Sequence, residues 1–99
     1  AILERRKRKA FDHKNEVMIG KIVGVHGIKG DVKVKAESDV FERQIEALDT
    51  IPIYRGTKKE ELEIERIKPY KDLYIIKFRE ITDRSEAEER IGGEIWIDK

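Results

Sequence analysis

The sequence predicts an all-β fold: a closed six-stranded antiparallel β-barrel with one or two short helices. Three observations point there. Short runs rich in β-branched residues recur, separated by turn residues. Several of them alternate apolar and charged side chains with a period of two. A chain of 99 residues supplies one modest core, and closing the sheet around it removes exposed edges.

Residues 1–15 read as a basic N-terminal arm, dense in charge, with Ile2, Leu3, Ala10 and Phe11 as its apolar residues. The domain body is expected at 16–99. It opens with a strand, Val17 to Val25, interrupted by Gly20 and Gly24. Glycines inside a strand mark bulges or sharp curvature, which a small barrel needs. His26-Gly27-Ile28-Lys29-Gly30 follows as a turn-rich connection. In the next strand Val32 and Val34 face inward and Lys33 and Lys35 outward.

Asp39 with Glu42 predicts a capping box, and Phe41, Ile45 and Leu48 recur at helical spacing. Ile51-Pro52-Ile53-Tyr54 reads as a strand near an edge, since proline cannot donate to a ladder. Arg55 to Lys59 reads as a turn. Leu62 and Ile64 alternate with Glu61, Glu63 and Glu65; then the phase slips, with Arg66 in the apolar register and Ile67 outside it. A bulge near Glu65-Arg66 accounts for the slip. Lys71-Asp72 is a tight hairpin connection. Leu73 to Phe78 is apolar on both faces, as a central strand is. Asp83 caps a brief helix with Glu86 three positions on, Ala87 and Ile91 are expected to face inward, and Gly92-Gly93 ends it. Glu94 to Ile97 forms the last strand. The expected core includes Val32, Val34, Leu62, Ile64, Ile75, Ile95 and Ile97. Trp96 must then point to the other face.

Charge makes up 43% of the residues, far above the usual ~25%, and most of it must lie on the surface. The net +1 hides an asymmetry. Residues 1–35 hold ten Lys/Arg against four Asp/Glu, a net +6; residues 36–99 hold twelve against seventeen, a net −5. A basic front half suggests a face suited to phosphates. The plainer reading is a solubilising tail. One Asn, one Gln and one Met accompany many Ile, Glu, Lys and Arg residues, a composition similar to that of proteins from hot environments.

Several function classes lose support. Without cysteine there is neither a disulfide framework nor a thiolate metal site, which fits a cytoplasmic location. No apolar run approaches a membrane span, and the basic start lacks the apolar stretch of a signal peptide, so no membrane association is expected. The only histidines are His13 and His26, and the only serines Ser38 and Ser85; nothing brings a nucleophile to a base. No enzyme activity, metal or cofactor is expected.

Nucleic-acid binding is the stronger candidate. Gly27-Ile28-Lys29-Gly30 matches a Gly-x-x-Gly backbone-clamping loop, but strands flank it here instead of helices. These glycines equally serve positive φ and close backbone approach. Lys29, Lys33 and Lys35, with Lys21 and His26 beside them, form a candidate surface for RNA. Few aromatics lie nearby, so contact with the backbone is favoured over base stacking.

The run Ile19 to Val34, with Gly20-Lys21-Ile22 entering His26-Gly27-Ile28-Lys29-Gly30 and then Asp31-Val32-Lys33-Val34, resembles the opening signature of the RimM family. Ser38-Asp39, Phe41-Glu42-Arg43 and Ile81 to Glu88 are similar to later segments of it. The resemblance spans roughly residues 17–98. It implies a six-stranded barrel like domain II of translation elongation factors. It also implies a monomeric, non-enzymatic chaperone that associates with the small ribosomal subunit precursor and supports maturation of its head and 16S rRNA processing. Members carry a C-terminal PRC-barrel domain that contacts a head ribosomal protein, and this chain stops at Lys99 before one. Trp96 is the candidate contact with that domain. A generic RNA-binding barrel of another translation-related protein is the alternative.

Overall fold

The computed structural model describes residues 15–98. The arm expected over residues 1–15 lies outside them except for Asn15. Among the described residues seven strands are seen: β1 (Glu16–His26), β2 (Asp31–Ala36), β3 (Ile51–Arg55), β4 (Lys58–Leu62), β5 (Ile64–Tyr70), β6 (Leu73–Phe78) and β7 (Glu94–Asp98). Two short helices interrupt them, α1 (Phe41–Glu46) and α2 (Arg84–Glu88).

The strands form one antiparallel sheet in the order β4-β3-β7-β1-β2-β6-β5. This corrects the closed six-stranded barrel. The sheet is an open half-barrel whose edge strands are β4 and β5. The reason lies at Glu63, the single residue between them. The path from Lys58 to Tyr70 starts at one edge and finishes at the other. Glu63 marks the corner: its carbonyl accepts from the Arg79 amide at 2.8 Å and its amide donates to Glu80 Oε1 at 3.0 Å. The Arg55 to Lys59 turn is also shorter than expected. Arg55 pairs with Lys58, so only Gly56 and Thr57 make the hairpin loop and Lys58-Lys59 begin β4.

Ile19, Ile22, Val32, Val34, Ile53, Leu62, Ile76, Phe78, Ile81 and Ile95 are buried in one core. Each such side chain stabilises the fold by roughly 1.5–3 kcal/mol. Ile64 and Ile97 are partly buried against it, as their alternation predicts. Ile75 is a correction. It is only 2% exposed, yet it faces away from this core, because its neighbours Tyr74 and Ile76 take the inward positions.

Phe41 and Ile45, one turn apart, pack α1 onto the core, and the Phe41 ring meets Tyr74 at 5.0 Å. The capping box expected from Asp39 and Glu42 does not form. Val40 holds the N-cap position without a side-chain cap, and Ser38 Oγ accepts from the Val40 amide at 3.2 Å. The α1 ring explains Gly20: a Cβ there would lie 2.7 Å from Phe41 Cε1. At α2 the expected cap is present, with Asp83 Oδ1 accepting from the Glu86 amide at 2.8 Å. Ala87 is buried, but Ile91 is 46% exposed, contrary to the inward position expected, because α2 ends before it reaches a second inward turn. Arg90 fastens this end to β4 by two bonds to Glu60, 2.7 and 3.1 Å. The bulge expected near Glu65-Arg66 is seen as a register shift between Ile64 and Arg66.

Candidate nucleic-acid interface

The alternation of β1 and β2 sorts their side chains cleanly. Ile22, Val32 and Val34 fill the core, so Lys21, Lys33 and Lys35 stand on the opposite face. Lys21 and Lys35 are direct cross-strand partners. Val23 is the extra residue of a bulge, which returns Gly24 to the lysine face opposite Lys33. A Cβ on Gly24 would touch the Lys33 stem at 3.5 Å, so the stem lies across that glycine. Like charges set opposite one another are unfavourable unless a counter-charge is supplied. Among the described residues, Lys21, Lys29, Lys33, Lys35 and Lys68 make no ion pair.

The same face continues across β6 and β5. Ile75 is the partner of Lys33 on one side and Lys68 on the other. The bulge at Glu65 brings Arg66, Lys68 and Tyr70 onto this face too. Ring centroids of His26 and Tyr70 lie 5.3 Å apart, tilted by 57°. The face is therefore curled along that diagonal. Lys71 Nζ sits 5.4 Å from the Tyr70 centroid, adding a further cation at that corner.

The β1–β2 loop divides its residues between two tasks. Gly30 (φ +92°) is buried, and a Cβ there would approach the Asp83 carbonyl oxygen to 2.7 Å. Its role is packing the loop onto the start of α2. Gly27 (φ +80°) has open space around it, and its carbonyl accepts from Arg84 Nη1 at 3.3 Å. Lys29 is exposed, and Ile28 beside it is 79% exposed. The pinned loop thus holds a cation and an aliphatic side chain out into solvent.

On the other flank, Lys21 pairs with Glu94 of β7, and Trp96 is two residues further along the same face. Trp96 is half-buried, and its Nε1 donates to Glu94 Oε1 at 2.9 Å. Glu94 in turn pairs with Tyr54. The Tyr54 hydroxyl raises the Lys59 pKa by hydrogen bonding, the largest of several causes. The cationic patch therefore has an acidic border at β7.

The structure thus joins Lys21, His26, Lys33 and Lys35 on one face, puts Gly27 and Lys29 at its end, and gives Gly30 to the fold. Sequence reasoning missed Arg66, Lys68 and Tyr70. Their signal was the phase slip at Arg66: advancing the alternation by one residue after the bulge aims all three at the lysine face.

A family model described as the RimM N-terminal domain matches residues 17–99. The chain is 34% identical over 79 residues to the ribosome maturation factor RimM of Lactobacillus johnsonii, covering 80% of this chain and 46% of that protein. It is 38% identical over 86 residues to the protein of the same name from Prochlorococcus marinus, covering 80% and 46%. The chain spans about half the length of the curated relatives it matches. A crystal structure of a 16S ribosomal RNA processing protein RimM from Pseudomonas aeruginosa superposes with a TM-score of 0.75 at 31% identity, covering 85% of this chain and 51% of that one. The solution structure of the N-terminal domain of RimM from Thermus thermophilus shares the fold, with a TM-score of 0.61 at 20% identity over 84% and 88% of the two chains.

Proposed function

Because this chain belongs to the RimM N-terminal domain family, we propose that it is the RNA-contacting module of a ribosome maturation factor, non-enzymatic, acting on the small-subunit precursor. The observation that carries this reading is the lysine face: Lys21, Lys33 and Lys35 on adjacent strands without an ion pair among the described residues, with Lys29 at its end. A row of ammonium groups suits phosphates and makes no demand on base identity. Such a module supports maturation of the subunit head and processing of 16S rRNA by binding one rRNA arrangement better than its competitors. A ligand shifts only equilibria between states it binds unequally. The acidic border at Glu94 keeps the nucleic acid to the β1–β2–β6–β5 side. Trp96 lies beyond that border and suits a contact with a neighbouring domain, through which a head ribosomal protein is met. No helix among the described residues is long and apolar enough to cross a membrane; the cytoplasm, where ribosomes assemble, is the proposed location.

Co-sedimentation with small-subunit precursors tests the proposal. Binding that weakens steeply with salt, and that disappears when the lysines are reversed in charge, supports it. Equal binding to unrelated structured RNA would move the assignment to a generic RNA-binding barrel. Binding to no RNA would overturn both.

A further inference from the structure

Among the acidic groups of the curled lysine face, Asp31 has an unusual setting. A concavity of about 360 Å³ is lined by Asp31, Arg66, Ile67, Lys68, Ile75 and Lys77. That lies at the low end of the roughly 300–1,000 Å³ of small-molecule sites. Ile75 supplies an apolar floor, flanked in register by Lys33 and Lys68. Lys77 contributes its methylene stem, because its ammonium donates to the carbonyls of Phe78, at 2.8 Å, and Ile81. Lys68 leaves a cationic rim beside Arg66, whose Nη1 also donates to Glu65 Oε2 at 3.3 Å.

Asp31 stands in the wall. Its Oδ1 is buried without a hydrogen-bond partner, and its Oδ2 has only Arg66 Nη2 at 3.8 Å. That separation is too long for a hydrogen bond. Turning the carboxyl group toward the concavity therefore breaks no hydrogen bond and gives up only the 3.8 Å ion pair with Arg66. A carboxylate accepts and does not donate. The missing partner is thus an N–H or O–H donor in a molecule whose negative charge meets Lys33 and Lys68; the edge of a nucleic-acid base with adjacent N–H donors fits that description.

Resting on the reading that this face holds RNA, we infer that the concavity receives one unstacked guanine base, whose N1–H and N2 amine donate to the Asp31 carboxylate. Guanine alone among the four bases presents two adjacent donors on its pairing edge. Adenine and cytosine present one amine beside an acceptor that a carboxylate repels, and uracil presents one N–H between two carbonyls. Unstacked bases in single-stranded RNA are read on these edges, while the phosphates on either side supply the salt-sensitive part of the affinity. The lysines hold the strand, and Asp31 sets which nucleotide stops there.

Fluorescence anisotropy of the protein with a labelled oligouridine strand tests this, the central nucleotide being uridine, guanosine, inosine, adenosine or cytidine. The guanosine strand is expected to bind about tenfold tighter than the uridine strand, the lower part of what a good two-bond base contact provides. Inosine, which lacks the N2 amine, should forfeit most of that gain. Asp31→Asn should abolish the guanosine preference, bringing the guanosine and uridine strands to equal affinity. Equal affinities for all five strands, with salt-sensitive binding intact, would overturn the guanine site and leave the backbone reading standing. Binding to none of them would overturn both. If Asp31→Asn fails to fold, the inosine comparison decides the matter on the unaltered protein.

Discussion

The His26 imidazole lies 5.3 Å from the Tyr70 ring although β2 and β6 separate their strands in the sheet. His26 ends β1, where it pairs with Asp31, and Tyr70 ends β5, where it pairs with Leu73. A flat sheet would hold these residues at distant corners. Their approach measures how far the sheet curls, and it makes the lysine face a trough.

A double-mutant cycle on this pair is the direct check. His26→Ala and Tyr70→Ala should show a coupling of about 0.5–1.5 kcal/mol in chemical denaturation, the usual range for aromatic pairs. Strict additivity would mean the corners do not meet in solution.

Charge reversal separates binding from folding. Lys29→Glu with Lys33→Glu should weaken association with small-subunit precursors. The salt slope should fall by roughly 0.7–0.9 for each phosphate that is no longer neutralised. Neither lysine makes an ion pair among the described residues, so stability should move by about 0.5 kcal/mol or less per site. An unchanged slope would return these lysines to the solvated surface. A melted fold would make the loop purely structural.

The two loop glycines should respond unequally to alanine. Gly27→Ala meets open space and bears only the positive-φ strain of about 1–2 kcal/mol. Gly30→Ala adds a clash at 2.7 Å with the Asp83 carbonyl oxygen, so its total should reach about 3 kcal/mol. Thermal melts of the two variants should therefore be well separated, since each kcal/mol shifts a domain of this size by about 4–8 °C. Coincident melts would show that the loop does not rest on Asp83.

Acid should loosen the front of α2. The backbone amide of Thr82, then its hydroxyl, hold the Glu86 carboxyl below its ordinary pKa of 4.5. A carboxyl depressed on folding stabilises the protein above its unfolded pKa, and the benefit disappears as pH falls through the folded value. The stability difference between the native protein and Glu86→Gln should be constant near neutrality and shrink below about pH 4.5. A difference independent of pH would remove Glu86 from the acid limb.

Much of the framework was legible because its signals are local. Val32 and Val34 against Lys33 and Lys35 fixed a strand and its two faces. Asp83 followed by Glu86 fixed the start of α2, and Lys71-Asp72 fixed a hairpin. The remainder depended on how distant segments meet. The split of Lys58–Tyr70 between two edges turns on Glu63, whose neighbours do not differ in type from those of any charged strand. Ile75 looked like core because both faces of β6 are apolar, whereas its burial belongs to the opposite face. For the site, Lys21, Lys33 and Lys35 followed from alternation alone. Tyr70 could be placed beside His26 only by the curl of four strands, and no sequence period encodes that.

The two edges carry a consequence for behaviour in a crowded cell. An unpaired strand offers its free amides and carbonyls to any chain that can lie alongside it. At β4 that invitation is refused by Lys58, Lys59, Glu60 and Glu61 in succession, and at β5 by the bulge at Glu65 and by Pro69, which has no amide to offer. Neither rim is a flat, uncharged template for fibrillar stacking. A half-barrel left open in this way presents neither edge as a ready template for its own aggregation.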